Sequence, residues 1–301
     1  MIPFVREFAF EYGRVDRASP LIRRVVANNP GPFTFTGTGT YIVGRYARGA
    51  GVAVIDPGPL DDAHLRAVLA AVEGQTVSHV LVTHTHRDHA PLARPFAEAV
   101  GGAPVLAARP PLHTVHASGS LDEDDDDSFV PDVILKGGER INGDGWTIEA
   151  LATPGHASNH MAFALLDENA LFCGDHVMGW STTVVAPPDG DMTDYMASLD
   201  AVIARDFATL WPTHGAPVTQ PAPFLAAYRA HRLGREAQVL ARLQAGDGTI
   251  AEMVPTLYAA VDGRLWPAAS LSVWAHLIAL VRSGRVIAEP EPTLQAIYRI
   301  V

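Results

Sequence analysis

Cysteine is nearly absent from this chain of 301 residues: Cys173 stands alone, so no bridge can form within the chain and a disulfide-stapled scaffold is excluded. Lysine is as scarce, with Lys136 the single one among 22 basic residues. No run reaches the ~20 continuous apolar residues that a membrane-spanning helix needs. The opening MIPFVREFAFEYGR carries charges where a secretory signal would be apolar, so a cytoplasmic protein without a membrane partner is expected. Positive charge is also short. The 33 acidic residues outnumber the basic ones and leave a net charge of −11, which repels polyanions and argues against a dedicated nucleic-acid binder. What is plentiful is apolar side chain, 48% of the sequence, enough to exclude disorder and to fill a large core in one or two domains.

The charge is unevenly spread. Residues 221–301 hold 8 arginines against 6 acidic residues, a net of +2, whereas residues 1–220 hold 14 basic against 27 acidic, a net of −13. The pattern changes at the same place. Up to about residue 218 short apolar runs such as PFTFTGTGTYIVGR, GVAVIDPGP, SHVLVTH, TIEALATPGH, MAFALLD, NALFCGD and FATLWPTHG end in Gly- or Pro-rich corners and read as strands. DDAHLRAVLAAVEG, APLARPFAEAVGG and MTDYMASLDAVIARD, lying among them, have helical periodicity. The class is therefore α/β. Beyond the Pro-rich joint TQPAP, three helical segments and a short strand suggest a small winged-helix-type appendage, giving domains 1–219 and 220–301. In its first helix Leu225, Tyr228, Leu233, Val239 and Leu240 offer docking residues, and Arg229, His231, Arg232 and Arg235 form a basic stripe expected to salt-bridge or cap the body. The acidic run Asp122 to Asp127 reads as a solvated loop, lacking the interposed residues and glycine of a calcium loop. His113 and His116, just before it, are expected at the surface.

The chemistry is concentrated in SHVLVTHTHRDHA. His84, His86, Asp88 and His89 follow an apolar strand directly, so they emerge where a buried strand becomes a loop. In extended chain, residues two apart project to one side. His84 and His86 can thus reach one cation, while Asp88 and His89, past the turn, can reach a second. His156 after IEALATPG, Asp175 after ALFCG and His214 after TLWPT each close an apolar strand beside a glycine. Five histidines and two aspartates are the donor set for two cations with three private ligands each and a shared carboxylate. The division expected is His84, His86 and His156 on one, Asp88, His89 and His214 on the other, and Asp175 between. Such donors suit zinc first, with iron or manganese also accepted. A water shared by two such cations is acidified toward neutrality, which makes hydrolysis the reaction class.

THTHRDH, TPGH, GDH and THG, in this order, resemble the metallo-β-lactamase superfamily of hydrolases. The resemblance spans the chain to about residue 218 and implies an αββα sandwich with metals at one sheet edge. It implies that Asp88 orients the nucleophile as well as binding metal. GDHVMGWSTTVV, DYMASLDAVI and the tail YRAHRLGREAQVL resemble the branch with a C-terminal winged-helix-type domain, which includes a mitochondrial single-strand endoribonuclease. Ala90, Pro91 and Leu92 stand where members often carry small glycine-rich residues. True β-lactamases usually lack the bridging aspartate, so Asp175 points away from lactam hydrolysis. The expected function is a dinuclear zinc hydrolase of an ester-, thioester-, lactone- or amide-like small molecule. A metal-dependent endoribonuclease on single-stranded RNA, and a ligand-sensing or nucleic-acid- or protein-binding module acting through the tail, are the alternatives. His160 and His176 are candidates for supporting the ligands. Trp180, Ser181, Thr182 and Thr183 are candidates for the pocket wall, and Cys173 for a buried apolar position.

Overall fold

The structure is a computed structural model that describes residues 1–110, 129–260 and 262–301. The acidic run Asp122 to Asp127, His113 and His116 lie outside the described residues.

In chain order the elements are β1 (Val15–Arg17), β2 (Ile22–Val26), β3 (Gly39–Val43), β4 (Gly51–Ile55), α1 (Asp62–Ala71), β5 (Thr76–Leu81), α2 (Ala93–Ala99), β6 (Val105–Ala108) and β7 (Val133–Leu135). They continue with β8 (Arg140–Asn142), β9 (Thr147–Ala152), β10 (Met161–Leu165), β11 (Ala170–Gly174), α3 (Met192–Ile203), β12 (Thr209–Pro212), α4 (Pro221–Gln244), α5 (Ile250–Leu257), α6 (Trp266–Arg282), β13 (Val286–Glu289) and β14 (Ile297–Ile300). One sheet runs β1-β2-β3-β4-β5-β6-β7, a second β12-β11-β10-β9-β8, and β13-β14 form a separate hairpin.

Strand periodicity builds the layers. In β4, Ala53 and Ile55 face the second sheet, where they join Phe163 of β10 and Phe172 of β11. Val52 and Val54 face outward onto Val68 of α1 and Phe96 of α2. β11 divides in the same way: Leu171 and Cys173 face Tyr195 and Leu199 of α3 and Phe224 and Leu225 of α4. Alternate residues thus serve opposite faces of sheets that are covered on both sides. The result is the αββα sandwich. Cys173 is buried on the helix side with its thiol directed to the Val177 carbonyl, a packing residue.

The expected strand PFTFTGTGTYIVGR begins only at Gly39. Residues 31–35 close on themselves through a Gly31–Phe35 bridge, and Gly37 takes a φ of +123 against the Ala27 carbonyl, a position closed to any side chain. The expected helices all form. α1 and α3 are started by Asp61 and Asp191, each accepting two backbone N–H bonds, and α5 by a Thr249–Glu252 capping box.

α4 serves two cores. Phe224, Leu225 and Tyr228 in its first half are packed into the sandwich, while Val239 and Leu243 join α5, α6 and the hairpin. Leu233, expected to dock, is exposed; at 100° per residue it lies about 140° around the helix from Tyr228, off the packed face. Residues Gly263–Arg282 are long and apolar enough to cross a membrane by length and composition, yet Ala269, Val273, Leu277 and Leu280 are buried in the C-terminal core.

Candidate metal centre

Strand direction gathers the site. β9 and β11 both pair antiparallel to β10, and β12 pairs parallel to β11, so these three strands end on one edge. His156, Asp175 and His214 follow those ends. Opposite them, β4 and β5 run parallel in the other sheet and deliver Asp56 and the run His84 to His89. Gly174 makes the last turn with a φ of +51, where a Cβ would strike His160 and Thr83.

The seven expected residues meet in three overlapping groups: His84, His86 and His156; His84, His89 and Asp175; and Asp88, His89 and His214, with donor atoms in each group within 4.8 Å of one another. Six of these side chains are almost fully enclosed, and Asp88 is the most open. Outer hydrogen bonds set which ring nitrogen faces inward. His156 donates from Nδ1 to the Val184 carbonyl at 2.7 Å, and His214 from Nδ1 to the Gly37 carbonyl at 3.2 Å. The Asp56 carboxylate holds His89 Nδ1 at 2.9 Å. Each of the three rings therefore turns its Nε2 to the centre. His84 Nε2 and His156 Nε2 both approach His86 Nδ1, at 2.9 and 3.2 Å.

The electrostatics call for a cation. Burial, reinforced by the neighbouring rings, drives His84 well below its ordinary value and His86 down to about 3, so these imidazoles are neutral donors. Against the penalty of burial, His89 and His214 hold the Asp88 and Asp175 carboxyls well below the usual range. Those two aspartates in turn raise His89 well above its ordinary value and His214 to about 10, despite burial. Among the described residues His89 Nε2 and Asp175 Oδ1 are nonetheless buried with no hydrogen bond, only the ion-pair approach of Asp88 Oδ2 to His89 Nε2 at 3.2 Å and of the two atoms to each other at 3.7 Å, an incomplete pairing that a bound cation would complete. The residues present fit divalent metal.

The supporting residues divide. His160 accepts the Asp175 N–H at 3.1 Å through Nε2 and meets Thr153 at 2.8 Å through Nδ1, so it fixes the turn that carries Asp175. His176 packs on Tyr195, and neither of its ring nitrogens has a partner among the described residues. Thr183 Oγ1 donates to the Asp175 carbonyl. Of the basic stripe, Arg229 pairs with Asp200, Arg232 donates to the Thr183 carbonyl, and Arg235 donates to the Leu257 carbonyl and lies over Tyr258.

Sequence reasoning passed over Asp56, which binds the Thr83 N–H and hydroxyl at 2.7 Å as well as His89. Its signal was visible: GVAVIDPG is an apolar strand closing at an aspartate two residues before a glycine, close to the pattern at Asp175. It also passed over Thr38, which donates to Asp88 Oδ2 at 3.1 Å, and it read Tyr228 as a docking residue, which it is, without its second role: the hydroxyl accepts the Thr183 N–H at 2.6 Å and donates to the Ser181 carbonyl. No local pattern marks either.

Residues 35–214 match the family model described as the metallo-beta-lactamase superfamily, and residues 249–292 that of the beta-lactamase associated winged helix domain. An atrochrysone carboxyl ACP thioesterase of Aspergillus chevalieri is 34% identical over 82% of this chain and 76% of its own length. A beta-lactamase-like protein 2 homolog of Caenorhabditis elegans is 29% identical over 75% of this chain and 72% of its own length. In fold, the chain is similar to a beta-lactamase domain protein from Burkholderia ambifaria, with a TM-score of 0.79 at 20% identity over 100% of this chain and 97% of that one.

Proposed function

Since the chain belongs to the metallo-beta-lactamase superfamily and is a hydrolase carrying the associated winged helix domain, we propose that it is a two-metal thioesterase. The observation that carries the two-metal reading is the convergence of five inward imidazole nitrogens on two ionised aspartates, in groups that share His84 and His89. His84, His86 and His156 would hold one cation, Asp88, His89 and His214 the other, and Asp175 would stand between. Zinc fits this nitrogen-rich set best. When bound, the cations supply Lewis acidity that polarises a carbonyl and acidifies water.

The protein's own groups do the rest. Asp88 borders the opening together with Asn29, Phe33 and Arg87, and its ionised carboxylate orients the attacking water, whose proton passes on to the leaving thiolate. A C–O bond forms, the C–S bond breaks, and the departing thiolate leaves with a proton, giving acid and thiol. Thr38 and His214 keep the Asp88 oxygen in place. The thioester is favoured by the thioesterase name of a relative that covers most of the chain, and a net charge of −11 stands against an RNA substrate.

The test is thiol release from N-acetylcysteamine and coenzyme A thioesters by zinc-loaded protein, beside a chelated sample and an Asp175→Asn variant, with metal content measured. Release that disappears in both controls is expected. Cleavage of labelled single-stranded RNA under the same controls, with no thiol released, would sink the thioesterase reading.

A further inference from the structure

A cavity of about 350 Å³ lies between the sandwich and the C-terminal helices. Pro32 and Phe33 border both this cavity and the opening that contains Asp88, Asp175 and His214, so one lip lies between the His/Asp cluster and the cavity. The near wall is the segment Trp180 to Val184, whose Val184 carbonyl orients His156. Trp180 is stacked on Phe35 at 4.6 Å between ring centroids, which makes this wall flat and rigid. The far wall is Tyr258, Leu265 and Ala268. A space of this size, apolar with a few polar groups at one end, is what a small-molecule site requires.

Its polar end is cationic and uncompensated. Of the arginines of α4, Arg229 and Arg242 pair with Asp200 and Asp247, whereas Arg232 and Arg235, which both border the cavity, have no carboxylate partner among the described residues. Arg232 is 3% exposed, and its Nε is buried without a hydrogen-bond partner among the described residues. Its guanidinium is spent on the Thr183 carbonyl and on the faces of Tyr195 and Tyr228. Arg235, less buried, borders the cavity while its Nη1 donates to Gln238 Oε1 and the Leu257 carbonyl, which leaves its Nη2 without a hydrogen-bond partner among the described residues. With Arg232 engaged by Thr183 and the tyrosines, Arg235 is the cavity's cation without a carboxylate partner among the described residues, and it marks the place where a negative group is accepted.

We propose that this cavity is the acyl subsite: it receives a flat, ring-bearing acyl group that ends in a carboxylate, with the ring against Trp180 and the carboxylate on Arg235. The assignment rests on the thioesterase reading for the word acyl and on the cavity alone for the shape and charge. The reacting carbonyl then lies over the Pro32–Phe33 lip beside Asp88, and the thiol half points to solvent.

Three acyl groups decide it, acetyl, 2-naphthoyl and 6-carboxy-2-naphthoyl, each as its N-acetylcysteamine and its coenzyme A thioester, assayed with wild type, Arg235→Gln, Arg235→Lys and Ala268→Trp, every variant checked for an unchanged melting temperature and zinc content. In Arg235→Gln the ratio of kcat/KM for the carboxylated over the plain naphthoyl substrate should fall at least about tenfold, with Arg235→Lys recovering part of it. In Ala268→Trp the ratio of either naphthoyl substrate over acetyl should fall by a similar factor. Ratios that stay put in both variants overturn the proposal. So does an Arg235 effect that appears only when the thiol half is coenzyme A, which would put the thiol side in the cavity. Calorimetry with naphthalene-2,6-dicarboxylate separates the two readings. Binding that weakens tenfold in both variants, in a protein that hydrolyses no thioester, keeps the cavity's shape and charge and discards thioester chemistry.

Discussion

The two sides of the site are built by different means. The metal side consists of residues that each sit just after a strand, so a residue's type and its place in the local pattern suffice to put it there. The cavity side consists of the Trp180 to Val184 segment held from outside by α4, through Tyr228 to Thr183 and Arg232 to the Thr183 carbonyl. The first arrangement fixes what reaction is possible. The second, as the proposed acyl subsite, selects which molecule meets it, and its position depends on the first half of α4 and on Ala275 of α6 packed into the sandwich. Damage on the metal side should therefore affect every substrate, and damage on the cavity side should separate one substrate from another.

The largest effect is expected from Asp175→Asn. It removes the charge shared between the two metal groups, and loss of several kcal/mol of charge stabilisation corresponds to a fall of roughly 10²- to 10³-fold in kcat. All substrates should suffer alike, and metal content measured by mass spectrometry should drop with activity. A loss restricted to one substrate would break the comparison. Next comes Asp56→Asn, which weakens the hold on His89 Nδ1 and on Thr83. A tenfold to hundredfold loss of metal affinity is expected, by competition with a chelating dye, because partners of ligating histidines carry effects of about that size. Zinc itself should protect the fold: at a free concentration a hundred times its dissociation constant, stability should rise by about 2.7 kcal/mol per site over the chelated protein. A melting curve indifferent to zinc would contradict the two-metal reading.

The same contrast explains what was legible in the sequence. The sandwich, the helices and the appendage follow from periodicities of two and of 3.6 residues, and these survive folding unchanged. The seven metal-side residues were legible because each repeats one local rule, and Asp56 follows that rule too, though its role is to hold a histidine. Thr38 and Tyr228 obey no such rule. Thr38 reaches Asp88 because β3 lies beside β4 and the turn at Gly37 brings the hydroxyl over, and Tyr228 reaches Thr183 from 45 residues away. Those contacts depend on how separate elements come together. The stripe on α4 shows the limit most clearly: the spacing of its arginines was plain, but which of them would lack a carboxylate partner depended on where Asp200 and Asp247 lay after folding.

Tyr228→Phe sharpens the comparison at its midpoint. The lost hydroxyl leaves the buried Thr183 N–H without its acceptor, so stability should fall by about 1–3 kcal/mol in chemical denaturation. The slackened segment also carries the carbonyl that orients His156, so zinc affinity should fall by up to about tenfold. Arg282→Gln gives the smallest effect. Arg282 of α6 pairs with Asp191 at the start of α3, joining the two parts of the chain at a largely exposed point. Solvent screens such a pair, and its loss should cost less than about 1 kcal/mol. If the parts are held together by the buried face of α4, Arg282→Gln should leave a single unfolding transition. Two transitions in that variant would mean that the exposed pair, and not Phe224, Leu225 and Tyr228, couples the C-terminal core to the sandwich; the cavity between them would then be as labile as one surface contact.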